Sequence, residues 1–110
     1  LSAAIENEIL GSQFEDLLNR PDGPERKDMG RHLMAACQRL YQRDKQPAYL
    51  WNALEVACRT PLPNTTQYEL LGELTGIQGE TAVRRRVLTD SAYESVRPAF
   101  SAMAEAASVN

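Results

Sequence analysis

Apolar side chains recur every three or four residues along most of this chain. Leu10, Phe14, Leu17 and Leu18 follow the i, i+4, i+7, i+8 spacing of one helical face, and Ile5 and Ile9 extend it across Gly11. The spacing predicts a first helix from Ser2 to about Asn19. Arg20-Pro21-Asp22-Gly23-Pro24 ends it, because proline and glycine interrupt regular backbone. Pro24 suits the first position of a second helix, where no amide hydrogen is needed. Leu33, Ala36, Cys37, Leu40 and Tyr41 then line one face, while Arg31, Gln38, Arg39, Gln42 and Arg43 fall on the other. Pro47 opens a third helix in the same way, with Leu50, Trp51, Leu54, Ala57 and Cys58 turned inward. The two prolines of Thr60-Pro61-Leu62-Pro63-Asn64 stop it.

The second half of the chain repeats this punctuation. Thr66 and Glu69 have capping-box spacing, so a fourth helix is expected to start near Thr65. Leu70, Leu71 and Leu74 are its apolar positions, and Gly76 is expected in the left-handed conformation that closes it. A short fifth helix is expected from Gln78 to Leu88. Ser91 and Glu94 form a second box, after which Tyr93, Val96, Phe100, Met103 and Ala107 keep one face. Pro98 inside that run predicts a kink or two shorter helices. No segment alternates apolar and polar residues long enough for a strand. The expected fold is therefore all-α: a compact bundle of five or six short helices without sheet, packed helix on helix around one core.

Composition sharpens this picture. The chain has 110 residues, 43% of them apolar and 25% charged, enough for a single domain (1–110) whose core needs no disulfide or metal. Its start, Leu1-Ser2-Ala3-Ala4, lacks the basic flank and apolar stretch of a signal peptide, and reads as a domain trimmed from a longer protein. No apolar run reaches the length of a membrane span. Cys37 and Cys58 sit among apolar residues and read as core side chains rather than a disulfide. A cytoplasmic or intracellular setting is expected, with delivery into a host cell if the domain belongs to an effector.

Candidate chemistry is sparse. His32 is the only histidine, and no acid or cysteine stands at a spacing that would make it a catalytic base. Two cysteines and one histidine do not make a zinc site, the Glu-x-x-His pairs of helical di-metal sites are missing, and so are glycine-rich phosphate loops. The expectation is no catalytic residue, no metal, no cofactor and no enzymatic activity.

What remains is binding. The net charge of −3 argues against a surface that grips nucleic acid everywhere, but the charge is uneven: residues 1–30 are acidic on balance and residues 31–60 basic. Arg31, Arg39, Arg43 and Lys45 form a basic stripe on and after the second helix that could steer an acidic partner. Tyr49, Leu62 and Tyr68, near the proline-rich turn, offer an apolar alternative. By elimination the first expectation is a non-catalytic helical protein–protein interaction module, such as an adaptor, a chaperone-like subunit or an effector domain. Trp51 is expected in the core; partial exposure would mark it as a binding hot spot.

One segment points elsewhere. Residues 71–88 read LGELTGIQGETAVRRRVL. Gly72 is a small residue at the helix crossing, Gly76 opens the turn, Ile77 follows it, and Glu80, Thr81 and Arg84 come next. This order resembles the helix-turn-helix of the cyclic-AMP receptor family of bacterial transcription regulators. The resemblance implies Glu80 and Arg84 at base edges, with Thr81, Arg85, Arg86 and the neighbouring Gln78 along the DNA. The family's principal base-reading arginine corresponds here to Gly79, and an inward apolar position to Arg85. DNA is thus the alternative partner, and it implies a homodimer, since one short helix seldom binds tightly alone. It also implies that Arg84, Arg85 and Arg86 project together into solvent.

Overall fold

A computed structural model describes residues 3–60 and 64–108. Among them are six α-helices: α1 (Ala3–Asn19), α2 (Pro24–Asp44), α3 (Pro47–Arg59), α4 (Asn64–Gln78), α5 (Glu80–Thr89) and α6 (Arg97–Ser108). A 3-10 helix, Ser91–Val96, precedes α6, and no strand is present among the described residues. The all-α bundle expected from the apolar spacing is the fold observed.

The helix starts follow the prolines. Pro24 and Pro47 occupy the first turns of α2 and α3. The link between these helices is only Lys45-Gln46. Lys45 takes a left-handed conformation (φ 56°, ψ 30°), and its amide closes α2 on the Tyr41 carbonyl at 2.7 Å. Gln46 and Thr60, each followed by proline, are extended, as the proline ring requires of its predecessor. The apolar run across Pro98 splits as expected, into the 3-10 helix and α6. Asp90, rather than Ser91, caps it: the Asp90 carboxylate accepts from the Ala92 amide at 3.0 Å. α4 likewise begins at Asn64, which places Thr66 inside the helix rather than at its cap.

α3 is the central element. Tyr49, Leu50, Trp51, Ala53, Leu54, Val56 and Ala57 are all buried, so it is apolar nearly all round. One side meets α4 and the 3-10 helix through Leu70, Leu71, Leu74, Tyr93 and Val96, and Phe100 of α6 with Val83 and Val87 of α5 completes that buried cluster. The other side meets α2 and α1, where Leu17, Leu33 and Val56 form a smaller buried group. Leu18, placed on the inner face by its spacing, is 40% exposed, because α1 touches the bundle along a narrow line centred on Leu17. Cys37 is buried and Cys58 partly so, and neither forms a disulfide.

Trp51 lies in the core at 2% exposure. Its ring packs on Tyr93 with centroids 5.0 Å apart and planes inclined by 58°. The indole N–H donates to Gln78 Oε1 at 3.0 Å, and the Tyr93 hydroxyl donates to the Trp51 carbonyl at 3.3 Å.

Two arginines act as helix caps. Arg26 donates to the carbonyls of Arg20 (2.8 Å) and Arg59 (2.7 Å), joining the ends of α1 and α3. Arg97 donates to the Val87 carbonyl at 2.8 Å near the end of α5. A guanidinium fork satisfies the carbonyls that a helix terminus leaves open.

Candidate functional site

The predicted basic stripe divides in two. Arg39 and Arg43, one turn apart on α2, stand beside a groove of about 400 Å³ between α1 and α2. Ile9, Leu10, Gln13, Ala36 and Leu40 line the rest of it. Ile9 is 43% exposed there, a large apolar side chain left in water. Arg39 is exposed and forms no ion pair among the described residues. Arg43 grips Asp44 through two bonds of 2.8 and 2.7 Å, and this hydrogen bonding holds the Asp44 carboxyl below its ordinary range. Arg31 bonds Asp28 at 2.9 Å. Lys45 turns to Gln42 (3.0 Å) and lies 5.3 Å from the centre of the Tyr41 ring. Neither Arg31 nor Lys45 lines the groove.

The apolar alternative loses one of its three residues to the core. Tyr49 is 5% exposed, because the first turn of α3 is pressed into the bundle beneath α2, so it offers no outer surface. Tyr68 remains partly exposed on α4, and Leu62 lies outside the described residues.

The segment resembling a helix-turn-helix does contain two helices meeting at a tight turn, but in a different register. Gly76 does not close α4; the helix continues to Gln78, and the Gly79 amide bonds the Thr75 carbonyl at 2.9 Å. Gly79 is the turn residue, with φ +88°, a conformation that side chains resist. The Gly76 backbone stays helical and the space beside it is open, so nothing there demands glycine.

The arginines of α5 are all exposed, but two of them also have partners within the fold. Arg84 pairs with Glu80 one turn earlier. The Arg86 guanidinium carbon lies over the core aromatics, 4.5 Å from the Trp51 ring centre and 5.5 Å from that of Tyr93. Gln78 is committed to the Trp51 indole. Thr81 and Arg85 remain exposed, with no side-chain partner among the described residues.

No group of three or more histidine, cysteine or acidic side chains that could hold a metal ion occurs among the described residues. His32 is exposed on α2. No described helix is long and apolar enough to cross a membrane. Compared with known proteins, the chain matches no family model, no curated protein and no solved structure.

The groove residues contributed by α1, Ile9 and Gln13, had no distinguishing mark in the sequence. Ile9 read as an untidy extension of the buried face. Its exposure depends on how α1 lies across α2, which local spacing does not contain.

Proposed function

We propose that this domain is a non-catalytic protein–protein interaction module that receives an acidic, amphipathic segment of another protein in the groove between α1 and α2. The observation that carries the reading is the pairing of exposed Ile9 and half-buried Leu10 and Leu40 with Arg39 and Arg43 at one concave surface. A segment laid there would bury its own apolar side chains on the floor and set carboxylates against the two guanidinium groups. An adaptor, a chaperone-like subunit or an effector domain would each use such a surface.

A second reading, DNA binding through α5, retains one favourable feature: Glu80, Thr81, Arg84 and Arg85 share exposed surface immediately after the Gly79 turn. It calls for a homodimer, and for binding that weakens steeply with added salt.

One experiment separates them. The purified chain and its Arg39→Glu and Arg85→Glu variants are used to capture partners from native-host extract, with and without nuclease. The protein-binding reading predicts a protein retained after nuclease by the unaltered chain and by Arg85→Glu, but reduced about tenfold or more by Arg39→Glu, the equivalent of roughly 1.4 kcal/mol. Recovery of DNA that Arg85→Glu abolishes and Arg39→Glu leaves intact would replace it with the second reading.

A further inference from the structure

α1, α2 and α3 enclose a second concavity, of about 380 Å³, on the side of Leu10 that faces α3. Its floor is apolar: Leu10, Phe14, Leu33 and Val56 line it, with the Cys37 thiol beside them. Burial pushes that thiol's pKa up to about 11, so it contributes no charge. The wall is one face of α3, where Tyr49, Asn52 and Glu55 follow at intervals of three residues.

None of these three polar side chains has a hydrogen-bond or ion-pair partner among the described residues. Tyr49 is nine-tenths buried, yet its hydroxyl bonds no described residue, although a buried phenol ordinarily finds one. Nor is that oxygen among the sealed polar atoms without a partner, which are Arg20 Nε, Arg26 Nε and Thr60 Oγ1. Tyr49 itself lines the concavity. Glu55 is partly buried and forms no ion pair or side-chain hydrogen bond. Arg59, one turn further on, does not reach it, and Lys45, beside Gln46 at the rim, is turned towards Gln42 and Tyr41. Glu55 is also the only charged residue between Pro47 and Cys58, so the wall carries a single negative charge over an apolar floor.

From this juxtaposition we infer that the concavity between α1, α2 and α3 binds a small organic ammonium compound. Its alkyl or aryl body lies on Leu10, Phe14, Leu33 and Val56, and its charged nitrogen donates to the Glu55 carboxylate and the Tyr49 hydroxyl. A partly desolvated carboxylate gains most from a cationic donor, and charge-assisted hydrogen bonds are the strong ones. An anion would meet Glu55, and a neutral ligand would cover the carboxylate without replacing its water. The volume lies within the roughly 300–1,000 Å³ of small-ligand sites.

The test uses three probes of matched shape, 4-phenylbutylamine, 4-phenylbutanol and 4-phenylbutyrate, titrated into the isotope-labelled 110-residue chain and followed by amide NMR shifts. The expected result is saturable binding of the amine, with shifts gathered at Gly11, Leu33 and Asn52, and an affinity about tenfold or more above the alcohol's. The carboxylate should not bind. Glu55→Gln should bring amine and alcohol to within about threefold of each other. Ala48→Trp, placed at an exposed position lining the same concavity, should block both while leaving the rest of the spectrum intact. No saturable amine binding up to roughly 5 mM, equal binding of amine and alcohol, or amine binding unchanged by Glu55→Gln would each overturn the assignment.

Discussion

The two sides of α3 are built differently. The side facing α4 and the 3-10 helix is closed: Leu54, Leu70, Leu71, Leu74, Tyr93 and Val96 are all sealed from solvent. Even its polar side chains serve packing, with Gln78 on the Trp51 indole, Arg86 over the aromatic pair and Arg97 on the end of α5. The side facing α1 and α2 is left open. Leu17, Leu33, Cys37 and Val56 are buried there, but Leu10, Phe14, Met29 and Met34 are only partly covered, and two concavities flank Leu10. Where polar groups already have partners inside the fold, little remains for a ligand. The open side keeps the exposed apolar and uncommitted charged groups, Ile9, Arg39 and Glu55, that binding needs.

Substitutions can break this contrast. Trp51→Ala should have the largest effect, lowering unfolding free energy by about 3–5 kcal/mol in urea titrations, since it empties the closed side and strands Gln78 and Arg86. Alkaline pH comes next. Burial pushes the Tyr93 hydroxyl up to about 12 and the Cys37 thiol up to about 11, from ordinary values of 10.0 and 9.0. Both groups are neutral when protonated, so raised folded-state values favour the folded chain below pH 9. That advantage is lost as pH rises through 9–12, amounting to about 4 kcal/mol by pH 11. Tyr93→Phe and Cys37→Ala should each flatten part of the dependence.

Smaller effects sharpen the contrast. Arg26→Ala should cost about 2 kcal/mol, because two carbonyls lose a charged donor, and Arg26→Lys should restore little, having no fork to span both. Gly30→Ala brings a new methyl carbon within 2.7 Å of Thr60 Oγ1 and 2.8 Å of its Cγ2. Overpacking should outweigh the gain in helix propensity and leave a net loss of about 1 kcal/mol, which Thr60→Ala in the same chain should recover. Arg39→Glu, on the open side, should change stability by less than about 0.5 kcal/mol, so its effect on partner capture reports binding alone.

Much of the closed side was legible in the sequence, because helix spacing and proline punctuation are local properties. Leu70, Leu71, Leu74, Tyr93, Val96 and Phe100 were placed inward by spacing alone, and all are buried. Gly76 misled because two glycines stand three residues apart and only the backbone path decides which one turns. The stop falls at Gly79, where φ is positive. The open side was far less legible. Arg39 and Arg43 were picked out by charge, but nothing local sets them beside Ile9. Tyr49 was read as surface, yet the short Lys45-Gln46 link presses the start of α3 against α2. Glu55 did leave a trace, as the only charged residue between Pro47 and Cys58, but a lone carboxylate in a helix names no ligand by itself.

Native-state hydrogen exchange, resolved helix by helix, tests the contrast most directly, since buried packing sets local opening energies. The amides of α3 and α4 should exchange only through global unfolding, with opening free energies equal to that from urea titration. Those in the middle of α1 should open at least about 2 kcal/mol more easily. Protection in α1 equal to that in α3 would contradict a closed side that holds the fold and an open side left to bind.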